Sequence, residues 1–401
     1  MLIDRTCTHL QRRWRGSAVR LRVNGRAYEL GHGTPRVEVV VHRPAVLARL
    51  LVSPSLTFGE GYMRGDIEVY GSLLDLLQGA YCTFPAARPS RLGELAQRCA
   101  AAIAARRRAI ANARHHYDIG NDFYRLWLDP SLTYSCACFL RESDDLTTAQ
   151  HQKLELLCRK ARLQPGQRLL DIGCGWGSLL LHAARHHGVR AVGVTPAREQ
   201  ADYIEQEAAQ QGLGDRVEVA RGDWRDVSGR FDRVISVGMF EHVGRAHYQP
   251  FLQRWRDLLA EGGLSVLHTI GRMCPAVGDP WIRRYIFPGG YLPALEQIAS
   301  IGADAGLWIV DVENLRQHYA RTLACWAANY QAVREQVVAM HGEQFARMWW
   351  LYLQGAEAAF RWGGLHLWQI VLARDERAPW PLDREVRLAD VSRARVCVPE
   401  T

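Results

Sequence analysis

Apolar residues in the second half of the chain fall into short, β-branched runs separated by stretches with helical spacing. Runs of this kind predict strands, and strands that alternate with helices along a chain indicate a doubly wound α/β sheet. The predicted strands are Arg168–Ile172, Ala191–Val194, Val217–Ala220, Arg233–Val237, Leu264–His268, Trp308–Val312 and Leu367–Ala373.

The first part of the chain has a different pattern. β-branched residues predict strands at 19–23 and 36–42, and an apolar stretch predicts a short helix from Leu73 to Leu77. A longer helix is predicted from Leu92 to Ile110, with a basic end that suits the helix dipole. This helix is either a linker or a face for a membrane or partner. The pattern therefore predicts a small α+β domain (1–111), a larger α/β domain (112–375) and a tail (376–401).

Composition narrows the class of protein. The chain has 401 residues, of which 48% are hydrophobic and 23% charged, so we exclude a disordered, collagen-like or small disulfide-rich protein. The net charge of +8 and the 13 tryptophans favour an anionic partner, which could be nucleic acid, a lipid surface or an acidic metabolite. Lys153 and Lys160 are the only lysines, which we interpret as codon usage.

Targeting signals and cysteine spacing bear on the compartment. Residues 1–20 carry several arginines and lack the apolar core of a signal peptide, and no stretch approaches the roughly 20 apolar residues of a membrane span. We therefore expect a cytoplasmic protein. The ten cysteines show no C-x-x-C pair and no zinc-like spacing, which predicts reduced thiols and no metal site.

A glycine-rich turn, Gly173-Cys174-Gly175-Trp176-Gly177, follows the strand that ends at Asp171 and Ile172. Glycine lets the backbone approach a ligand closely, and the helix that follows offers free N–H groups. The spacing differs from that of the dinucleotide motif, and the absence of a following Lys-Ser/Thr excludes a P-loop. The turn resembles the S-adenosylmethionine loop of class I methyltransferases.

That resemblance implies a cofactor site. The next strand ends at Thr195, where many such enzymes carry an acidic residue, so Thr195 and Gln200 would offer neutral groups to the ribose. Trp224 could stack on adenine or simply pack in the core. The implied cofactor-binding residues are Tyr134, Ser135, Asp171, Gly173, Gly175, Gly177, Thr195, Gln200, Asp223 and Trp224.

Several segments between His116 and Arg374 together resemble the cyclopropane-fatty-acyl-phospholipid synthases and the mycolic acid cyclopropane synthases. They read HYDIGNDFY from His116, YSC from Tyr134, VGMFEHV from Val237, LHTI from Leu267, DPW from Asp279, YIFPGG from Tyr285 and HYARTL from His318. Residues 58–63 also resemble the N-terminal domain of the longer synthases. The resemblance implies a class I S-adenosylmethionine methyltransferase, with a Rossmann-like sheet and a smaller N-terminal α+β domain. Such an enzyme transfers a methylene group to the cis double bond of phospholipid acyl chains.

This chemistry requires a dry cavity. An alkene that attacks a sulfonium methyl group becomes a carbocation, which water would quench. Aromatic faces stabilise cations, at roughly 0.5–2 kcal/mol each. The aromatic residues available for such a wall, each of which could instead be ordinary core, are Tyr134, Phe139, Phe240, Tyr285 and Phe287.

The resemblance also implies a bicarbonate ion as the base. Its holders would be Cys136, Glu241, His268, Ile270 and Tyr319. Imidazole, phenol and main-chain N–H groups can donate to the ion, and a carboxylate can accept its O–H. Two positions depart from the family pattern. Cys138 replaces the usual aromatic residue, which would widen the acyl channel, and Ala356 stands where relatives often carry cysteine.

Other functions remain open at this point. The same cation could lose a different proton or gain hydride, giving a methyl-branched lipid. N-methylation of a small amine is a second alternative, and a non-enzymatic lipid- or nucleic-acid-binding protein is a third. The resemblance favours an unsaturated phospholipid substrate and peripheral contact with an anionic membrane at its inner face. It also favours no nucleic acid partner and a possible homodimer.

Overall fold

The computed structural model describes residues 2–50, 52–84, 119–276, 278–378 and 380. The predicted helix Leu92–Ile110, the boundary between residues 111 and 112, the start of the HYDIGNDFY motif and most of the 376–401 tail lie outside these residues. No helix in the described part of the chain is both long and apolar enough to span a bilayer.

The N-terminal part forms a small α+β unit. Its elements are α1 (Leu2–Arg13), β1 (Ser17–Val23), β2 (Arg26–Leu30), β3 (His32–Val41), α2 (Ala45–Leu50), α3 (Pro54–Arg64), β4 (Ile67–Tyr70) and α4 (Leu73–Thr83). The strands lie in the order β2-β1-β3-β4, with β1 and β3 parallel and the outer pairs antiparallel. The predicted strands 19–23 and 36–42 fall within or overlap β1 and β3, and the predicted short helix is the start of α4.

The larger part alternates strands with helices. Its helices are α5 (Asn121–Arg125), α6 (Leu146–Lys160), α7 (Ser178–His187), α8 (Arg198–Gln210), α9 (Phe240–Val243), α10 (Tyr248–Leu258), α11 (Pro280–Tyr285), α12 (Leu295–Asp304), α13 (Arg316–Ala332), α14 (Arg334–His341) and α15 (Glu343–Arg361). Its strands are β5 (Arg168–Ile172), β6 (Arg190–Thr195), β7 (Val217–Arg221), β8 (Phe231–Val237), β9 (Leu259–Arg272), β10 (Trp308–Asn314) and β11 (Leu365–Ala373).

These strands form one sheet in the order β10-β11-β9-β8-β5-β6-β7. The five strands from β9 to β7 are parallel, whereas β11 is antiparallel to both of its neighbours. All seven predicted strands are present. The predicted α/β sheet with a smaller α+β unit is therefore confirmed. Ligands of such sheets bind at the carboxyl ends of the parallel strands, which is where β5 meets the glycine-rich turn.

Most of the tryptophan side chains in the described part of the chain are buried. Trp127, Trp255, Trp326 and Trp349 are at most 1% exposed, and Trp281 is also buried. Trp308, at the start of edge strand β10, is 55% exposed. The numerous tryptophans thus contribute to the core far more than to the surface.

The two parts of the molecule are joined by side chains from α11 and α15. Arg347 of α15 donates to the carbonyl oxygens of Tyr62 and Ile67 and forms an ion pair with Glu68. The Trp281 ring packs directly against the backbone of Gly59 in α3. A helical glycine is needed there because a Cβ atom would overlap the indole.

Candidate active site

A cleft opens at the carboxyl ends of β5, β6 and β8. It encloses about 1230 Å³, including its opening to solvent. Nine of the ten predicted cofactor residues line it, and these are Tyr134, Ser135, Asp171, Gly173, Gly175, Thr195, Gln200, Asp223 and Trp224. Gly177 does not line the cleft. It begins α7 with φ +79°, and a Cβ on it would lie 2.6 Å from Ile204 Cγ1.

The glycine-rich turn is shaped by positive backbone angles. Gly173 has φ +82° and Gly175 has φ +53°, a region that favours glycine. The amides of Gly173 and Cys174 both donate to Val194 O, at 2.9 and 3.2 Å, which fixes the turn against β6. A side chain at Gly173 would collide with Met239 on the opposite wall. Position 173 therefore requires glycine, both for its positive φ and because Met239 occupies the space that a Cβ atom would need.

Buried polar atoms in the cleft lack partners among the described residues. Asp171 Oδ1 is one, and burial raises the pKa of this carboxyl to about 7. Gln200 Nε2 is another, because the amide oxygen of Gln200 accepts from Thr195 Oγ1 at 2.7 Å. Leaving such groups unpaired costs about 1–3 kcal/mol each, so they favour a polar ligand here.

Trp224 belongs both to the core and to the lining of the cleft, and its contact with adenine stays a prediction. Its ring is 8% exposed and packs edge-on against Phe251 at 4.9 Å, yet it also lines the cleft. The Arg225 guanidinium lies 4.3 Å from the ring centroid and forms an ion pair with Asp223. Arg225 thereby holds both Asp223 and Trp224 in place.

Lys153 is a cleft residue that the motifs did not reveal. It lies on α6, is 1% exposed, and its ammonium group donates to Ser135 Oγ at 3.0 Å. Burial lowers the pKa of Lys153 to about 8. The available signal was a lysine in a chain whose other positive charges are almost all arginine.

The five predicted catalytic residues do not line this cleft, and they form two groups beside it. In the first group, the Ile270 amide donates to Glu241 Oε1 at 2.6 Å. Glu241 Oε2 is buried without a partner among the described residues, and burial raises the pKa of Glu241 to about 7. His268 lies on β9 two residues before Ile270, and its Nε2 is likewise buried and unpaired. Burial lowers the His268 pKa well below 6.5, so the imidazole is neutral.

Cys136 and Tyr319 belong to the second group. The Cys136 thiol contacts Leu315 O at 3.9 Å, just before α13, the helix that carries Tyr319. Leu315 N donates to Leu367 O, and Leu367 pairs with Ile270 across β11 and β9. One strand, β11, therefore connects the two groups. Burial raises the Cys136 pKa well above 9.0, so this thiol is protonated and is not a nucleophile.

The aromatic wall is only partly formed by the predicted rings. Tyr134 lines the cleft, and its hydroxyl lies 2.8 Å from the hydroxyl of Tyr352. Phe287 packs on the edge of Tyr352 with centroids 5.8 Å apart. Phe240, however, stacks on Tyr248 in the core, and the Tyr285 hydroxyl donates to Glu60 of the N-terminal unit.

One group of possible metal ligands occurs in the described residues. Ligand atoms of Cys158, His182 and His187 lie within 4.8 Å of one another. Both histidine Nε2 atoms, however, are within 3.2 Å of Glu155 Oε2, and burial raises the pKa of the Cys158 thiol well above 9.0. The ring nitrogens are thus engaged by a carboxylate, and the absence of a metal site stays a prediction.

Comparison with known proteins gives consistent matches. A family model described as mycolic acid cyclopropane synthetase matches residues 104–370, and a model for a domain of unknown function matches residues 20–84. A probable fatty acid methyltransferase from Pseudomonas putida is 37% identical over 88% of this chain and 90% of its own.

A cyclopropane-fatty-acyl-phospholipid synthase from Escherichia coli K12 is 35% identical over 86% of this chain and 89% of its own. Among solved structures, the mycolic acid cyclopropane synthase CmaA1 complexed with SAH and CTAB has a TM-score of 0.63 at 35% identity. It covers 66% of this chain and 98% of its own.

Proposed function

The chain belongs to the mycolic acid cyclopropane synthetase family and is an S-adenosylmethionine-dependent methyltransferase, and we propose that it cyclopropanates unsaturated acyl chains of membrane phospholipids. A methylene group from S-adenosylmethionine would be added across a cis double bond. One observation carries the proposal. Beside the cofactor cleft, Glu241 Oε2 and His268 Nε2 are both buried and have no partner among the described residues.

The residues of the cleft suit S-adenosylmethionine. Thr195 and Gln200 would hold the ribose through neutral groups, and Trp224 would contact the adenine. Asp171 and Ser135 offer polar atoms to the amino-acid end, and Lys153 supports Ser135. The glycine-rich turn admits the ligand because its backbone carries no side chains at Gly173 and Gly175.

We propose that bicarbonate is the base. When bound, bicarbonate would supply an oxygen that removes a proton from the newly attached methyl group, so that the ring closes. His268 would hold the ion through Nε2, Tyr319 through its hydroxyl, and Glu241 by accepting an O–H. The Ile270 amide is engaged by Glu241 Oε1, so in this proposal it orients the carboxylate.

Access to acyl chains requires contact with a bilayer. The net charge of +8 favours anionic lipid, at roughly 1 kcal/mol for each basic residue near the surface. We therefore propose peripheral binding at the inner face of the cell membrane, with the 1–111 domain making the contact. A cytoplasmic location is part of the same proposal. So is a homodimer, which sedimentation velocity tests.

The test of the reaction is product structure. The protein is incubated with methyl-¹³C-labelled S-adenosylmethionine and vesicles of phospholipid with cis-unsaturated chains, and the lipids are examined by NMR. Ring protons and a labelled ring carbon are the expected result. Labelled methyl branches without a ring would overturn cyclopropanation, and mass alone is insufficient because a cyclopropane and a methyl-branched alkene gain equal mass.

A methyl-branched product is the second candidate. It is favoured by the relative at 37% identity, whose name is fatty acid methyltransferase. The NMR experiment separates the two candidates directly. N-methylation of an amine needs no buried carboxyl group and imidazole like those of Glu241 and His268, so this pair of residues does not favour it.

Dependence on bicarbonate is tested separately. Turnover is measured in buffer purged of carbon dioxide under argon and again after bicarbonate is restored. We expect the rate to fall and then recover, with cofactor affinity unchanged throughout. Equal rates in both buffers would exclude bicarbonate as the base without affecting the assignment of the product.

A further inference from the structure

The two lysines of the chain lie on one helix and both are buried. Lys153 and Lys160 are seven residues apart on α6, with exposed fractions of 1% and 4%. Lys153 contacts the cofactor cleft. Lys160 donates to the Gln369 side-chain oxygen at 2.7 Å and forms an ion pair with Glu313.

The contact with Lys160 determines which way the Gln369 amide faces. An ammonium group has only donors, so it must meet the oxygen of the amide. The NH₂ end of Gln369 therefore points the other way, toward His268 Nδ1 at 3.0 Å. Gln369 and His268 are directly paired across β11 and β9, so the sheet register keeps the two side chains together.

The same logic then fixes the proton of the imidazole. An amide NH₂ can only donate, so His268 Nδ1 must be the acceptor and carries no proton. In a neutral imidazole the one proton then resides on Nε2. This Nε2–H is the buried group that has no partner among the described residues.

We propose that Lys160 and Gln369 are positioning residues that hold His268 as its Nε2–H tautomer, ready to donate to a bound anion. The inference rests on the proposed function because that anion is the proposed bicarbonate. Lysine suits this role because it is a compact point charge, whereas the planar guanidinium of arginine would present several donors over a wider area.

A purely structural role for Gln369 would be to accept a hydrogen bond from a buried ammonium group. Glu313, which lies directly opposite Gln369 across β10 and β11, already supplies a full negative charge to Lys160. The variant Glu313→Gln removes this charge but keeps both partners of the Lys160–Gln369 hydrogen bond, which makes it the matched control.

The first test reads the tautomer in the intact wild-type protein without substrate. Long-range ¹H–¹⁵N spectra of ¹⁵N-histidine-labelled protein distinguish protonated from bare ring nitrogens. The His268 signal is assigned by its loss in His268→Asn. We expect a proton on Nε2 and a bare Nδ1. A proton on Nδ1 would overturn the inference, and this measurement requires neither turnover nor a folded Gln369 variant.

The second test is Gln369→Glu, which replaces the donor facing Nδ1 by an acceptor. We expect turnover to fall on the order of 10²-fold, the usual cost of losing one oxyanion donor, with unchanged S-adenosylmethionine affinity. Glu313→Gln should keep nearly wild-type turnover. A wild-type rate in Gln369→Glu would overturn the positioning role. If the wild type makes no cyclopropane, the proposed function fails while the tautomer result stands by itself.

Discussion

Glu241 is held by one carboxylate oxygen and left unpaired at the other. The Ile270 amide fixes Oε1, while Oε2 is buried with no partner among the described residues. Such an arrangement costs folding free energy, because a buried carboxylate is poorly solvated. Because of this cost in folding free energy, a buried carboxylate oxygen without a partner indicates that a ligand binds there.

Glu241→Gln should therefore separate activity from stability. We expect turnover to fall at least 10²-fold with cofactor affinity retained, because the amide lacks the acceptor strength of a carboxylate. Burial raises the folded-state pKa to about 7 from an ordinary 4.5. Wild-type stability is thus lost as pH rises from about 4.5 to about 7, and the variant should avoid this loss. Calorimetry at pH 8 should show a variant about 3 kcal/mol more stable than wild type. A Tm of Glu241→Gln below that of the wild type at pH 8 would contradict the predicted gain in stability.

Lys153→Met should weaken S-adenosylmethionine binding about tenfold. The Lys153 ammonium group donates to Ser135 Oγ and so directs the proton of the Ser135 hydroxyl into the cleft, and methionine cannot do this. Burial places the Lys153 pKa at about 8, so wild-type affinity should also fall as pH rises through 8. Titration calorimetry across this range measures both effects.

Lys160→Met is the matched control for cofactor affinity, because Lys160 does not line the cleft. It should slow turnover without weakening cofactor binding. Identical affinity losses in the two variants would show that burial of a lysine on α6, rather than contact with Ser135, is responsible.

At this scale the cofactor-binding roles stay predictions, but nine of the ten predicted residues line one cleft, because they follow strand ends in fixed order. Gly177 does not line the cleft, and its conformation serves the start of α7. Lys153 and Gln369 were missed. Their roles depend on contacts between segments far apart in sequence, which no local motif encodes.

The position of a helix depends as much on side chains that pack closely against its backbone as on the helix propensity of its residues. Gly59 lies inside α3 with ordinary helical geometry, where alanine would normally favour the helix by up to about 1 kcal/mol. The Trp281 ring occupies the space that a Cβ atom would need. Packing between α3 and α11 therefore outweighs helix propensity at this position.

Gly59→Ala should lower stability by about 1–3 kcal/mol, because the Trp281 ring or the whole of α11 must move. Gly355→Ala is the matched control. Gly355 also lies inside a helix, α15, but a Cβ there meets nothing within 4 Å. It should raise stability by up to about 1 kcal/mol. Urea unfolding measures both, and equal shifts of the same sign would contradict the packing argument.

The inner strands of the large sheet were predicted from their apolar runs, because burial of both faces leaves a strong signal, whereas the edge strands β7 and β10 are only partly buried. The small sheet was harder to predict. β2 carries one buried residue, Leu30, and β4 is only four residues long, so neither shows a clear alternation.

At the scale of the whole molecule, charge and apolar content serve different purposes. The tryptophans that suggested a lipid surface mostly fill the core, whereas the arginines produce the net charge of +8. Composition alone could not separate these roles, since it does not say which side chains are buried.

Binding to vesicles should accordingly be electrostatic. Sedimentation with vesicles of anionic phospholipid should fall several-fold as salt rises from about 0.1 to about 1 M, since the screening length shrinks from about 10 to about 3 Å. Neutral vesicles should retain little protein. Retention that is independent of both salt and lipid charge would contradict the electrostatic part of the proposal.

The position of β11 in the sheet has a consequence for the order of events during synthesis. It is the last described strand in the chain, yet it lies between β9 and β10, which emerge from the ribosome earlier. Until it inserts, these two strands have no partner along their facing edges, and His268 has no Gln369 opposite it. The nascent chain therefore completes its site only after β11 has emerged, so a chaperone that shields exposed strand edges would act on β9 and β10.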